Sequence, residues 1–119
     1  MYYQVDEIAQ ILGNLQDRSY VVEAYTVSLK QLVIAIYPRR VEESPLFITF
    51  RTVMYMRLHP YWENTVFRLG SPDLCRELLT SVGESLSDNL PYLFYVMDGK
   101  LLVQVLCRSI WLTDKKPDL

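Results

Sequence analysis

Histidine occurs once in these 119 residues, cysteine twice and glycine four times, and no unbroken apolar run exceeds six residues. Each scarcity excludes a chemistry. The single His59 cannot complete a Cys/His zinc set with Cys75 and Cys107, which lie 32 residues apart and form no C-x-x-C pair. Both cysteines fall inside apolar patterns and read as reduced core thiols. The glycines, at positions 13, 70, 83 and 99, are too scattered for a Gly-rich phosphate cradle, and no G-x-S-x-G elbow presents a serine. No cofactor is expected. Six apolar residues fall far short of the ~20 that span a bilayer, and the opening "MYYQVDEIAQ" lacks the basic start and apolar stretch of a signal peptide. A cytoplasmic protein with no membrane partner is expected. Charge of one sign is missing too: 12 basic and 14 acidic residues give a net charge of −2, and they are interspersed. No basic stripe forms to neutralise a row of phosphates, so no nucleic-acid partner is expected.

What is present describes a folded chain. Apolar residues make up 50% and charged residues 22%, as in globular proteins. The length suits one domain, residues 1–119, able to bury roughly two thirds of its unfolded surface without metal or disulfide staples. Aromatics reach 13%, with nine tyrosines, whose apolar bodies and polar tips suit half-exposed rims or a contact surface.

Periodicity then orders the elements. Val5, Ile8, Leu12 and Leu15 recur on one helical face, with Asp6 and Glu7 at its positive end and Gly13-Asn14 as a stop. Residues 20–28 and 32–37 read as strands joined by a short hairpin, the second apolar on both faces and therefore central. Residues 46–58 alternate: Leu46, Ile48, Phe50, Thr52, Met54, Met56 and Leu58 share the core face. Residues 61–69 alternate again and are expected to pair back onto 46–58 across His59-Pro60. Ser71-Pro72-Asp73 starts a second helix with Leu74, Leu78 and Val82 on one face, flanked by Cys75 and Leu79, and Gly83 ends it. A short helical turn is expected over 84–90. Asp98-Gly99 marks a hairpin, with Leu101, Val103, Val105, Cys107 and Trp111 as the core face of its second strand. The fold class is α+β. A mainly antiparallel sheet of about five to six strands is expected with two main helices, in the order α-β-β-β-β-α-β-β, packed on one face or end.

Two groups of residues carry candidate function. In "LHPYWENT", His59, Tyr61, Trp62 and Glu63 bring a titratable imidazole, a carboxylate and two aromatic walls within five positions. The same stretch also reads as a strand turning a corner at Pro60. Arg51, Tyr55 and Arg57 interleave on the polar side of one strand, and Arg68 on the next could face the same way, a composition enriched at protein interfaces. The paired carboxylates Glu42-Glu43 and Asp6-Glu7 sit at solvated positions, as does Arg39-Arg40. The expected function is a small non-catalytic interaction or regulatory protein, of the inhibitor or immunity type, binding a protein partner or a second copy through the Tyr/Arg-bearing sheet face. The alternative is a small-molecule binder or an enzyme with a pocket around His59, Tyr61 and Glu63.

Overall fold

The computed structural model describes residues 4–85 and 89–118. They form α1 (Val5–Gly13), β1 (Arg18–Thr26), β2 (Gln31–Pro38), β3 (Leu46–Arg57), β4 (Tyr61–Glu63), β5 (Arg68–Leu69), α2 (Pro72–Ser81), β6 (Tyr92–Met97) and β7 (Leu101–Thr113). The strands make one antiparallel sheet in the order β4-β1-β2-β3-β7-β6-β5. The α+β class and the antiparallel sheet agree with the sequence reading. The seven strands exceed the expected five to six because residues 61–69 are two strands and not one. Both flanks of β3 are occupied, by β2 and β7, so β4 crosses to the free edge of β1, pairing Tyr20 with Trp62. Asn64 then adopts φ 61°, and β5 pairs with β6 at the opposite edge.

This split dictates the shape of the sheet. A flat seven-stranded sheet holds its outer strands ~29 Å apart, at about 4.8 Å per step. The link over residues 64–67 joins those two edges, and five residue steps reach at most ~18 Å. The sheet therefore curls, and its concave face closes around aromatic side chains. Phe67, in the link, meets Tyr20 of β1 at 6.0 Å, Phe50 of β3 at 5.6 Å and Trp62 of β4 at 5.6 Å between ring centroids. Phe50 continues the chain to Phe94 of β6 at 5.7 Å. Ile8 and Leu12 of α1 join this cluster, and α1 packs on β5 and β7.

The convex face carries α2. Ser71 caps it, accepting from Leu74 N at 3.2 Å, with Pro72 at the first helical position. At the other end Gly83 at φ 79° allows Gly83 N to donate to Thr80 O and Glu84 N to Leu79 O, closing a Schellman motif. Cys75 and Leu79 pack with Leu93 and Leu106 as a second, smaller core. The two helices thus cover opposite faces, where one face or end was expected, because each sheet face presents its own apolar rows. Of the turn expected over 84–90, residues 86–88 lie outside the described ones, and the described residues at 84, 85, 89 and 90 are not helical.

Two strands change face partway. In β3 a bulge between Val53 and Tyr55, beside Thr52 at φ 52°, puts Val53 and not Thr52 or Met54 in the main core. Met54 and Tyr55 pack instead on the α2 side. In β7 the core face runs Val103, Val105, Cys107 and then Ile110, Leu112, which moves Trp111 to the convex side. Strict alternation cannot anticipate either switch. On that convex side Tyr37 donates to Glu23 Oε1 at 2.8 Å, and Lys116 Nζ lies 3.7 Å from Glu23 Oε2. The segment after β7 therefore crosses β3 and β2 to reach β1.

Phe67→Ala is expected to cost ~3–5 kcal/mol, since it empties the centre of the aromatic chain; a urea titration showing under ~1 kcal/mol would remove the link from the core. The Tyr20 hydroxyl is buried with no hydrogen-bond partner among the described residues, and burial pushes its pKa up to about 12. An unfolded tyrosine ionises near 10.0. Its stabilising contribution is thus fully present below pH ~10 and is lost as pH rises through ~12. Tyr20→Phe is expected to leave stability at pH 7 equal or higher and to flatten that alkaline limb; a destabilised variant with an unchanged limb would show the hydroxyl to be satisfied.

Candidate functional site

The His59 stretch is a corner. Leu58, His59 and Pro60 carry the chain from β3 to the β1 edge, where Pro60 O accepts from Val22 N at 3.1 Å. His59 Nδ1 lies 2.6 Å from Tyr61 O, folding the exposed imidazole against its own turn. Strand alternation then separates the candidates: Tyr61 and Glu63 point to solvent and Trp62 points inward. Trp62 is 5% exposed, stacks on Tyr20 at 5.1 Å with planes 5° apart, and donates Nε1–H to Thr65 O at 3.1 Å. Its side chain pins β4 and the link to the core. The four residues thus share no cavity: one is core, and three ring the outside of the turn.

The Tyr/Arg face is assembled more as anticipated, with one exception. Arg51 lies 4.2 Å above the Trp111 ring. With the Gln31 amide turned oxygen-first, Arg51 Nε and Nη2 donate to it at 3.0 and 3.2 Å. Arg51 is held by its neighbours. Beyond the bulge, register aligns the others across the sheet: Arg57 opposes Gln104, Gln104 opposes Tyr95, and Tyr95 opposes Arg68. Residues directly opposed share a face, so Arg57, Gln104, Tyr95 and Arg68 form one row over β3, β7, β6 and β5. Tyr55 sits in the next row beside Leu106, partly buried against the α2 core.

That row borders an apolar groove of about 570 Å³. Leu74, Glu77, Leu78 and Ser81 of α2 form one wall, and Leu93, Tyr95, Met97, Leu101 and Gln104 of the β6–β7 hairpin form the floor. The stripe Leu74, Leu78, Val82, which the sequence places on one face, is open at its ends: Leu74 is 43% and Val82 36% exposed, while Leu78 packs partly on the α2 core. The sheet is met chiefly by the flanking Cys75 and Leu79, one residue round the helix. Met97 at 47% extends the apolar surface to the hairpin tip. Helix α2 thus carries two adjacent apolar stripes, and the sheet accommodates one in full.

Other groups are placed as follows. Arg39 and Arg40 meet Gln16, Asp17, Arg18 and Glu43 in a polar cleft of about 410 Å³, with Arg18 Nη2 3.3 Å from Glu43 Oε2. The cleft adjoins the C-terminal end of α1, the end whose dipole disfavours anions. Cys75 Sγ–H donates to Pro91 O at 3.3 Å, and burial raises its pKa. Burial pushes the Cys107 thiol up to about 12, so both thiols stay protonated and unreactive near neutrality. Among the described residues no group of three or more His, Cys, Asp or Glu converges as metal ligands would. No helix is long and apolar enough to cross a membrane.

The corner reading gives a paired outcome. Trp62→Ala should lower stability by ~3–5 kcal/mol, and His59→Ala by less than ~1 kcal/mol. Parallel urea titrations decide it, and comparable losses for both would return His59 to a buried, cooperative role.

Comparison with the patterns of known families, with curated proteins and with solved structures finds no match for this chain, so function is argued from the geometry alone.

Proposed function

We propose that this is a small interaction or regulatory protein of the cytoplasm, acting by binding another protein through the groove beside α2 and the Tyr/Arg row along it. The observation that carries this reading is the unpartnered apolar stripe of α2. Leu74 and Leu78 line an open trough floored by Met97 and Leu101, and Val82 on the same helical face is exposed. A contiguous exposed apolar patch rimmed by polar residues is costly to keep in water and marks interaction surfaces. The rim has the composition of such surfaces, with Tyr95, Arg57 and Arg68 on the row beside it. The protein-binding reading of the Tyr/Arg face therefore centres on Arg57, Tyr95 and Arg68, on the α2 side of the sheet. Two buried, unpaired thiols support a reducing compartment. The ligand-pocket alternative loses its wall, since Trp62 is spent on the core.

Leu74→Asp with Met97→Asp places charge at two exposed positions and should leave the fold intact. Affinity capture from the source cell is expected to retain a protein on the wild type and to lose it on this double variant, while Arg39→Ala/Arg40→Ala retains it. Equal retention by both variants would take the groove out of the interaction. Light scattering up to high-micromolar concentration reads the homodimer form of the proposal: association abolished by the same two substitutions makes the partner a second copy, and a strict monomer makes it a different protein.

A further inference from the structure

We infer that the occupant of the groove is an amphipathic helix of a partner protein, with acidic residues flanking its apolar stripe about ten positions apart. This rests on the reading of the groove as a protein-binding surface and goes beyond it by naming the partner's secondary structure and charge.

The first argument is backbone satisfaction. A peptide added as a strand needs a free sheet edge. Here the edges are β4, three residues long, and β5, two residues long, with residues 64–67 running between them. The groove lies elsewhere, over the face of β6 and β7, where ladder groups lie in the plane of the sheet and only side chains are presented. An occupant pressed against that apolar floor receives no backbone bonds from it, so it must satisfy its own, as a helix does.

The second is shape. Leu74, Leu78 and Ser81 line the groove at i, i+4 and i+7 of α2, so the trough follows the helix axis for ~10 Å. A helix laid beside α2 meets that ridge with its own i, i+3/i+4, i+7 stripe and covers Met97 and Leu101 from above. It would complete a helical layer on the convex face, of which α2 supplies one member.

The third is charge. The floor row ends in an arginine on each side, Arg57 on β3 and Arg68 on β5. Both are exposed, and neither forms an ion pair with another described residue. They stand three strand spacings apart, ~14 Å, which a helix spans in about ten residues. The remaining charges nearby are Glu77 on the α2 wall, and Asp98 and Lys100 at the hairpin turn. Glu77 repels acid from the α2 wall, which leaves the two arginine ends as the positions for partner carboxylates. Such rim pairs act on orientation and partner choice more than on total affinity.

The test is selection of 14-residue helical peptides from a display library on the full-length protein at low salt, with selected peptides measured by fluorescence anisotropy. The expected result is an enriched pool with an apolar stripe and Asp or Glu near both ends. Its binding should be lost on Leu74→Asp/Met97→Asp and weakened about tenfold or more by Arg57→Glu/Arg68→Glu. Selection on Arg57→Glu/Arg68→Glu should then yield Lys- or Arg-flanked peptides. Raising salt from about 50 to about 500 mM should weaken the acidic peptides several-fold. Peptides that depend on Leu74 and Met97 but show no acidic excess would overturn the charge assignment and leave the groove reading standing. Groove-dependent peptides without helical periodicity would overturn the helix. A pool indifferent to Leu74→Asp/Met97→Asp, or no pool at all, would overturn both this inference and the groove reading.

Discussion

Everything in this molecule follows from the shortness of one link. Residues 64–67 tie the two edges of a seven-stranded sheet together, and that connection is shorter than the width of the sheet laid flat. Curvature is thus imposed by covalent reach, and the side chains must fill whatever interior results. They do so with large rings: Tyr20, Phe50, Phe67 and Phe94 are all essentially inaccessible to water, and Trp62 nearly so. Phe67 is the member that the link itself delivers to the middle. Its contacts fasten β3 to the β4–β1 pair, from which β2 separates it in the sheet. The parallel stack of Trp62 on Tyr20 then fixes the β4 edge, at the expense of a hydroxyl unsatisfied among the described residues.

Tying the edges together has a second effect. Open sheet edges invite pairing with other chains, and short or covered edges blunt that tendency. β4 covers only Ser19 to Val21 of β1, and β5 only Phe94 and Tyr95 of β6. On the convex face α2 covers the row of Leu93 and Leu106 and leaves the row of Tyr95 and Gln104 open. The proposed interaction surface is that uncovered row.

Local signals in the sequence were legible where a single residue suffices to make the element. Ser71-Pro72-Asp73 and Gly83 bound α2, and Asp98-Gly99 makes the β6–β7 turn, with Gly99 at φ 70°. The apolar run of β2 is buried on both faces from Leu32 to Ile36. Non-local facts were not legible. Residues 61–69 alternate as one strand would, and only the filled flanks of β3 send β4 and β5 to opposite edges. The core faces of β3 and β7 switch together beside Thr52, at φ 52°, so Val53 and Ile110 replace Met54 and Trp111 inside. For the candidate site, Arg57 and Arg68 were rightly suspected of sharing a face, through a row of register pairs that no local pattern contains. His59, Tyr61, Trp62 and Glu63 clustered in sequence but alternate in space, which disperses any group built on a strand.

The same link reaches the groove through Gly70. After β5 the chain turns directly into α2, and Gly70 N donates to Leu93 O at 2.7 Å. A Cβ at this position would stand 3.1 Å from Leu93 Cδ2 and 3.2 Å from its Cγ, closer than side chains ordinarily pack. A side chain here would push Leu93 aside by a few tenths of an ångström, and Leu93 is both a member of the α2 core and part of the groove. The height at which α2 starts above the sheet is therefore set here, one residue after β5 and one before the Ser71 cap. Because α2 is the wall, that height also sets how deep the trough beside it can be. Curvature, helix placement and the open groove wall of Leu74 and Leu78 are consequences of one run of chain from Glu63 to Ser71. The proposed recognition surface is thereby coupled to the closure of the core and is not an independent loop added to it.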